Sequence, residues 1–232
     1  MSAATLTPQR WFLMKKKIFG TGLALFAFGL LMIQNVSAVG MWEGYSGAPN
    51  SLADFRQRFT EIKNDAEFRN IAGSDVAFYY ANYAGSQQSL TNFRQRFTEI
   101  KNDAEFRNIA GSDVAFYYGN YAGSRHSLGD FKRRFTEIKN DTEFRNIAGS
   151  DAALYYGSYS GSSNSLADFK RRFSEIKNDA EFRNIAGSDA AIYYGGYAKS
   201  SYPLAEYRRR FSEIKSDTAF RNIAGSDAAL YY

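Results

Sequence analysis

Cysteine is absent from the 232 residues and histidine occurs once. Without cysteine there is no disulfide framework, no thiol chemistry, no cysteine metal site and no cysteine-linked lipid anchor, so packing alone must hold the chain. A single histidine, His126, cannot supply a His-based triad or a transition-metal cluster. It falls in a loop, where it reads as a solvated residue. A strong charge of one sign is also missing. Of the 29 basic residues, four (Arg10, Lys15, Lys16 and Lys17) precede position 39, and 25 face 24 acidic ones thereafter. The overall excess of +5 therefore comes mostly from the first 38 residues. It gives no reason to expect a nucleic-acid partner, which would want a clustered basic excess.

Those first residues also lack the length to span a membrane. Three lysines precede the apolar run Ile18 to Ile33, which is 16 residues long, whereas a spanning helix needs about 20. Val36-Ser37-Ala38 then supplies small residues before Val39. Lysines, a short apolar run and a small-residue ending are the pattern of a cleavable secretory signal, which predicts export to the periplasm, cell surface or exterior and no stable membrane span after cleavage. Met14-Lys15-Lys16-Lys17 offers a second start of translation.

Beyond residue 38 the chain repeats itself. Leu52-Ala-Asp-Phe55 recurs as Leu90-Thr-Asn-Phe93, Leu128-Gly-Asp-Phe131, Leu166-Ala-Asp-Phe169 and Leu204-Ala-Glu-Tyr207, each 38 residues on. A fixed period of this length signals stacked supersecondary units. Five units come after a partial one at 39–50: 51–88, 89–126, 127–164, 165–202 and a truncated 203–232. The first two complete units differ at only five positions, which points to duplication of one module rather than five specialised sites. Both ends are partial repeats, and Met41 and Trp42 read as a cap on the exposed end of a linear core.

Within a unit, Leu52, Phe55, Phe59 and Ile62 step by three, four and three, which places them on one stripe of a helix. Ser51 suits its N-cap, with Asp54 as the partner in a capping box, and Pro203 suits the same start in the last unit. Asn64-Asp65 breaks the pattern and caps a second short helix through Phe68, Ile71 and Ala72, which Gly73 ends. Ser74-Asp75 offers a third cap, followed by Val76, Tyr79, Tyr80 and Tyr83 at helical spacing. Phe78 and the tyrosines give this third element strand propensity as well. The expectation is an all-α solenoid of about five repeats with two to three short helices each, the third element being helix or strand. Ala84-Gly85-Ser86-Gln87-Gln88 reads as the connecting loop. There the copies diverge most: Gln87-Gln88 becomes Arg125-His126, Ser163-Asn164 and Ser201-Tyr202.

Almost every acid recurs at an equivalent place, which argues for structure over catalysis, and no enzyme is expected. Asp75 and its copies read as caps. Asn64-Asp65-x-Glu67 and Gly73-Ser74-Asp75 carry oxygen donors, but without the alternating acids of a calcium loop; no metal or cofactor is expected. Two repeated features suit contact with a partner. Tyr80, Tyr83, Tyr118, Tyr121, Tyr156, Tyr159, Tyr194 and Tyr197 form a ladder whose rings either pack between units or offer an apolar face with a hydroxyl tip. Arg56 and Arg58, Arg94 and Arg96, Arg134, Arg172 and Arg210 form a basic stripe, which glutamates such as Glu137 can neutralise. The sequence thus predicts an exported, non-enzymatic scaffold that binds a protein or glycan at a cell surface, or its own copies, through tyrosine and loop positions. The alternative is a periplasmic structural protein that holds anionic wall polymers through the arginine stripe.

Overall fold

The computed structural model describes residues 44–232, in which the only regular elements are helices. The signal-like segment, the second start at Met14 and the expected cap Met41-Trp42 lie outside the described residues.

Each unit opens with the amphipathic helix that the stripe predicts: Leu52–Asn64, Leu90–Asn102, Leu128–Asn140, Leu166–Asn178 and Leu204–Ser216. Ser51 Oγ accepts the Asp54 N–H at 3.2 Å. The Asp54 carboxylate in turn accepts from the Ser51 hydroxyl rather than from its backbone amide. Pro203 makes no side-chain cap, but its φ of −59° is already helical. Asp65 caps the second helix, Ala66–Ala72, by accepting the Phe68 N–H at 2.5 Å. Gly73 ends it with φ +75°, a conformation that costs a glycine least.

The third element is helical. It runs as a 3₁₀ turn, Gly73–Tyr79, into a short α-helix, Tyr80–Ala84; in the fourth unit the α-helix is longer, Ala190–Lys199. Asp75 does not cap it, in contrast to the sequence expectation: the 3₁₀ turn has no side-chain cap bond, and Ser74 Oγ reaches Asp75 instead. The turn begins at Gly73 itself, so Ser74 and Asp75 lie inside its first turn rather than at its N-cap position.

The first helix of each unit packs on that unit's third helix, and successive third helices pack on one another as an inner layer. Phe55, Phe59, Ile62 and Phe68 are fully buried with their copies. Between units the core is aromatic. Phe97 meets Tyr79 of the preceding unit at 4.6 Å and Phe68 at 5.2 Å between ring centroids, both edge to face. Each such pair is worth about 0.5–1.5 kcal/mol beyond its buried area. Arg94 pairs with Asp65 at 3.1 Å, and Lys101 Nζ donates to the Ile71 carbonyl at 2.5 Å.

The array does not end in exposed caps; it closes on itself. The first unit meets the last through the same contacts that join the others. Phe59 packs on Tyr231 at 4.8 Å and on Phe220 at 5.3 Å, Arg56 pairs with Asp217 at 3.2 Å, and Lys63 donates to the Ile223 carbonyl at 2.5 Å. The Tyr231 hydroxyl donates to the Ala77 carbonyl as Tyr79 does to Ala115. The two partial repeats make one whole. The Ser46 N–H donates to the Tyr232 carbonyl at 2.9 Å, and these residues stand at the repeat positions of Ala84 and Tyr80, four apart in an α-helix. Residues 44–47 thus complete the fifth inner helix across a gap in the chain. The linear core expected from the sequence is a ring, because each unit turns about a fifth of a circle relative to the last.

The splice depends on Gly44, where an added Cβ would lie 2.4 Å from the carbonyl carbon of Tyr232. Gly44→Ala is expected to cost about 1–3 kcal/mol, as overpacking does. Gly129→Ala, on an open helix surface where other copies have Ala53 or Ala167, is expected to add about 0.5–1 kcal/mol. Urea denaturation of both variants checks the pair, and equal effects would contradict the splice.

Candidate functional site: the axial mouth

The tyrosine ladder faces inward. Tyr80, Tyr118, Tyr156 and Tyr194 are 7–8 % exposed, and Tyr83, Tyr121, Tyr159 and Tyr197 are 1 % exposed. Tyr80 packs edge to face on Phe59 and Tyr118 on Phe97. Tyr83 lies beneath a guanidinium, with the Arg58 carbon 4.1 Å from its ring centroid, and its hydroxyl donates to Glu61 at 2.5 Å. The outward contact face is therefore not made by these rings, since neighbouring units bury the helix that carries them.

The arginine stripe divides into two rows, and neither is a free surface. Arg56 and Arg94, with Lys132, Lys170 and Arg208 at the same position, reach back to an aspartate of the preceding unit. Asp65 and Glu67, the oxygen donors weighed for calcium, are both engaged by Arg94.

The second row, Arg58, Arg96, Arg134, Arg172 and Arg210, turns under the connecting loops. Arg58 Nη2 donates to the Tyr83 carbonyl at 3.0 Å, to Ser86 Oγ at 3.3 Å and to the Gln88 carbonyl at 2.6 Å. The other copies keep the carbonyl bonds on either side of the loop. Arg210 closes the ring by donating to the carbonyls of Tyr45, Ala48 and Asn50 while lying 4.0 Å over Tyr45. Arg134 and Arg210 are 9 % and 6 % exposed. None of the five has a carboxylate oxygen within 4.0 Å among the described residues. In each unit the tyrosine beneath the guanidinium donates its hydroxyl to a glutamate, as Tyr83 does to Glu61.

These guanidiniums shape one site. The five connecting loops converge at one end of the ring axis and line a cavity of about 370 Å³, open to solvent. Gly47 to Pro49, Gly85 to Gln87, Gly123 to His126, Gly161 to Ser163 and Lys199 to Tyr202 contribute to its wall. The loop residues have two different jobs. The second diverged position clasps the next unit: Asn50 donates to the Ala84 carbonyl at 2.7 Å, Gln88 to Ser124 at 2.7 Å and Asn164 to Ala198 at 2.9 Å. His126 does the same, its Nε2 lying 2.8 Å from the Ser162 carbonyl. It is half-buried and engaged rather than solvated as the sequence suggested. The first diverged position, Pro49, Gln87, Arg125, Ser163 and Ser201, is exposed at the rim.

Glycines let the inner helices approach closely enough to form this wall. A Cβ on Gly161 would lie 2.9 Å from the Asn120 carbonyl oxygen, and one on Gly47 would lie 2.8 Å from that of Gly196. Divergence at the rim was legible in the sequence; Lys199, at the glycine position of the other copies, was not singled out there.

Among the described residues, fold and site together define a closed helical ring of five units with an axial mouth. No family model, curated protein or solved structure matches the chain.

The buried phenols give the ring an alkaline limit. Burial, aided by Asp75, raises Tyr79 well above the usual phenol range, and Tyr117, Tyr155, Tyr193 and Tyr231 follow. Tyr45 is pushed up to about 12 by burial and by its bond to Glu213. A raised phenol stabilises the fold fully below the unfolded value of about 10 and loses that contribution as pH climbs toward the folded value. Phenolate absorbance is thus expected to rise together with loss of helical circular dichroism above about pH 10. A separate phenolate transition in an intact helical protein would contradict the burial.

Proposed function

We propose that the protein is an exported, non-enzymatic binding module, and that its ligand sits in the axial mouth rather than on the tyrosine ladder. One observation carries the reading. Repeats that are nearly identical in their packing residues differ most at the rim of a single cavity to which all five contribute. Packing holds the buried positions nearly invariant, so these exposed positions are where the copies are free to take on residues that suit a ligand. A cavity of about 370 Å³ is at the small end of ligand sites, which run from roughly 300 to 1,000 Å³. It suits one or two sugar rings or the tip of a longer molecule. The signal-like leader supports action outside the cytoplasm, at a cell surface or in the periplasm. The absence of catalysis rests on the repeat-equivalent placement of the acids and on the clasp that occupies His126.

The test is retention of the immobilised 39–232 chain, a compact unit by itself, against whole cells and purified envelope polymers. Replacing Gln87, Arg125, Ser163 and Ser201 together by Ala is expected to abolish retention without changing the circular dichroism. Replacing Arg69, Arg107, Arg145 and Arg183 on the exposed second helices by Ala is expected to leave it intact. The reverse pattern would move the site to the outer surface.

A further inference from the structure

We infer that the mouth is an oxyanion site, built to take the phosphate or carboxylate groups of a hydroxyl-rich molecule such as an acidic saccharide. The inference rests on the placement of the ligand in the mouth and adds its chemistry.

Charge makes the first part of the argument. Five guanidiniums, from Arg58, Arg96, Arg134, Arg172 and Arg210, sit directly beneath the loops, held there by the loop carbonyls. Each unit holds a charge pair divided by a tyrosine ring. The guanidinium is on the backbone side of that ring, next to the loop, and the glutamate is at its phenol tip. Glu61, Glu99, Glu137 and Glu175 are exposed, so water screens them, whereas the guanidiniums are packed over the rings at 4.1 Å, or 4.0 Å for Arg210. In the fifth pair the half-buried Glu213 is held by Arg209 at 3.5 Å. The positive ends therefore dominate at the mouth, and low-dielectric walls focus such a field. The net charge of the chain after residue 38 is near zero, so this is a local field rather than a general basic surface.

The wall supplies the second part. No Asp or Glu lines the cavity among the described residues, whereas Arg125 projects a further cation at the rim. The backbone amides of Gln87, Arg125, Ser163 and Ser201 donate to no acceptor among the described residues, and at the fifth copy Pro49 has no N–H to leave unpaired. Free rim amides beside hydroxyls and cations are the donor set an oxyanion wants. Ser163 and Ser201 add hydroxyls at the same level, which suits the sugar-like remainder of the ligand.

The test is calorimetric titration of the 39–232 chain with three probes at low salt: an oligogalacturonate for carboxylate, a glycerol-phosphate oligomer for phosphate, and a neutral dextran oligomer. Inorganic phosphate serves as a fourth probe, to separate a free ion from a group carried on a polymer. At least one anionic oligomer is expected to bind, and to weaken by about tenfold or more between roughly 20 and 300 mM salt. The affinity is expected to fall by about tenfold with Arg125→Gln, the residue of the neighbouring copy, as loss of one charge-assisted contact would give. Binding is expected to vanish with Ser163→Asp and Ser201→Asp together. Ser163→Asn and Ser201→Asn keep size without charge, and are expected to retain it. Anionic oligomers that fail to bind, or whose binding ignores the Asp substitutions, would overturn the inference. Dextran binding that is lost on mouth substitution but indifferent to salt would overturn the anion chemistry while leaving the mouth as the ligand site. Binding of inorganic phosphate as tightly as the oligomers would reduce the site to a free-ion site and remove the saccharide.

Discussion

Every unit must satisfy its neighbour on two sides, and the rest of the structure depends on that constraint. A single unit of 38 residues buries its aromatic stripe only when Phe97 finds the Tyr79 and Phe68 of the unit before it. In an open array one such face at each end stays wet and has to be capped. Here the rotation from unit to unit brings Phe59 to Tyr231 and Phe220, so the last face covers the first and no cap is needed among the described residues. The splice between Ser46 and Tyr232 is a consequence of this geometry. It makes the fifth inner helix out of two chain segments that are 186 residues apart.

Closure also makes the site. Loops on a linear array would lie along an edge, each with its own surroundings. On a ring they face one another across an axis, and five copies of one arginine become a ring of charge. The arginine is fixed by local chemistry: its planar donor fork bonds carbonyls at both ends of the loop while its face lies on the tyrosine. Lysine could not do both. Structural repetition thereby yields a property that no single unit has, an inward positive field over a cavity whose rim is free to vary.

Much of the fold was legible in the sequence, and the reasons are physical. The spacing of Phe55, Phe59 and Ile62 has only one helical reading, and Ser51, Asp65 and Gly73 punctuate it as their side chains and backbone preferences dictate. The third element was ambiguous because aromatic residues serve strands and buried helices alike, and only contact with neighbouring inner helices decides between them. The direction of Tyr80 and Tyr83 was illegible, since an inward and an outward ring share the same period. The arginines misled for a similar reason: Arg56 and Arg58 look like one exposed stripe, but one reaches back to an aspartate of the adjoining unit and the other under a loop 25 to 30 residues on. Closure was hidden in the phasing. A partial unit at each end reads equally as two caps or as two halves of one unit.

The splice is also where the account is most exposed. Amide hydrogen exchange of Ser46, read by NMR beside Ala84, Ala122 and Ala198 at the same repeat position, measures it directly. A closed ring predicts that the Ser46 amide, bonded to the Tyr232 carbonyl, is protected to a degree comparable with those three. Exchange at the rate of a free loop, with the other three still protected, would mean that the ring is open and that the axial mouth does not exist as a site.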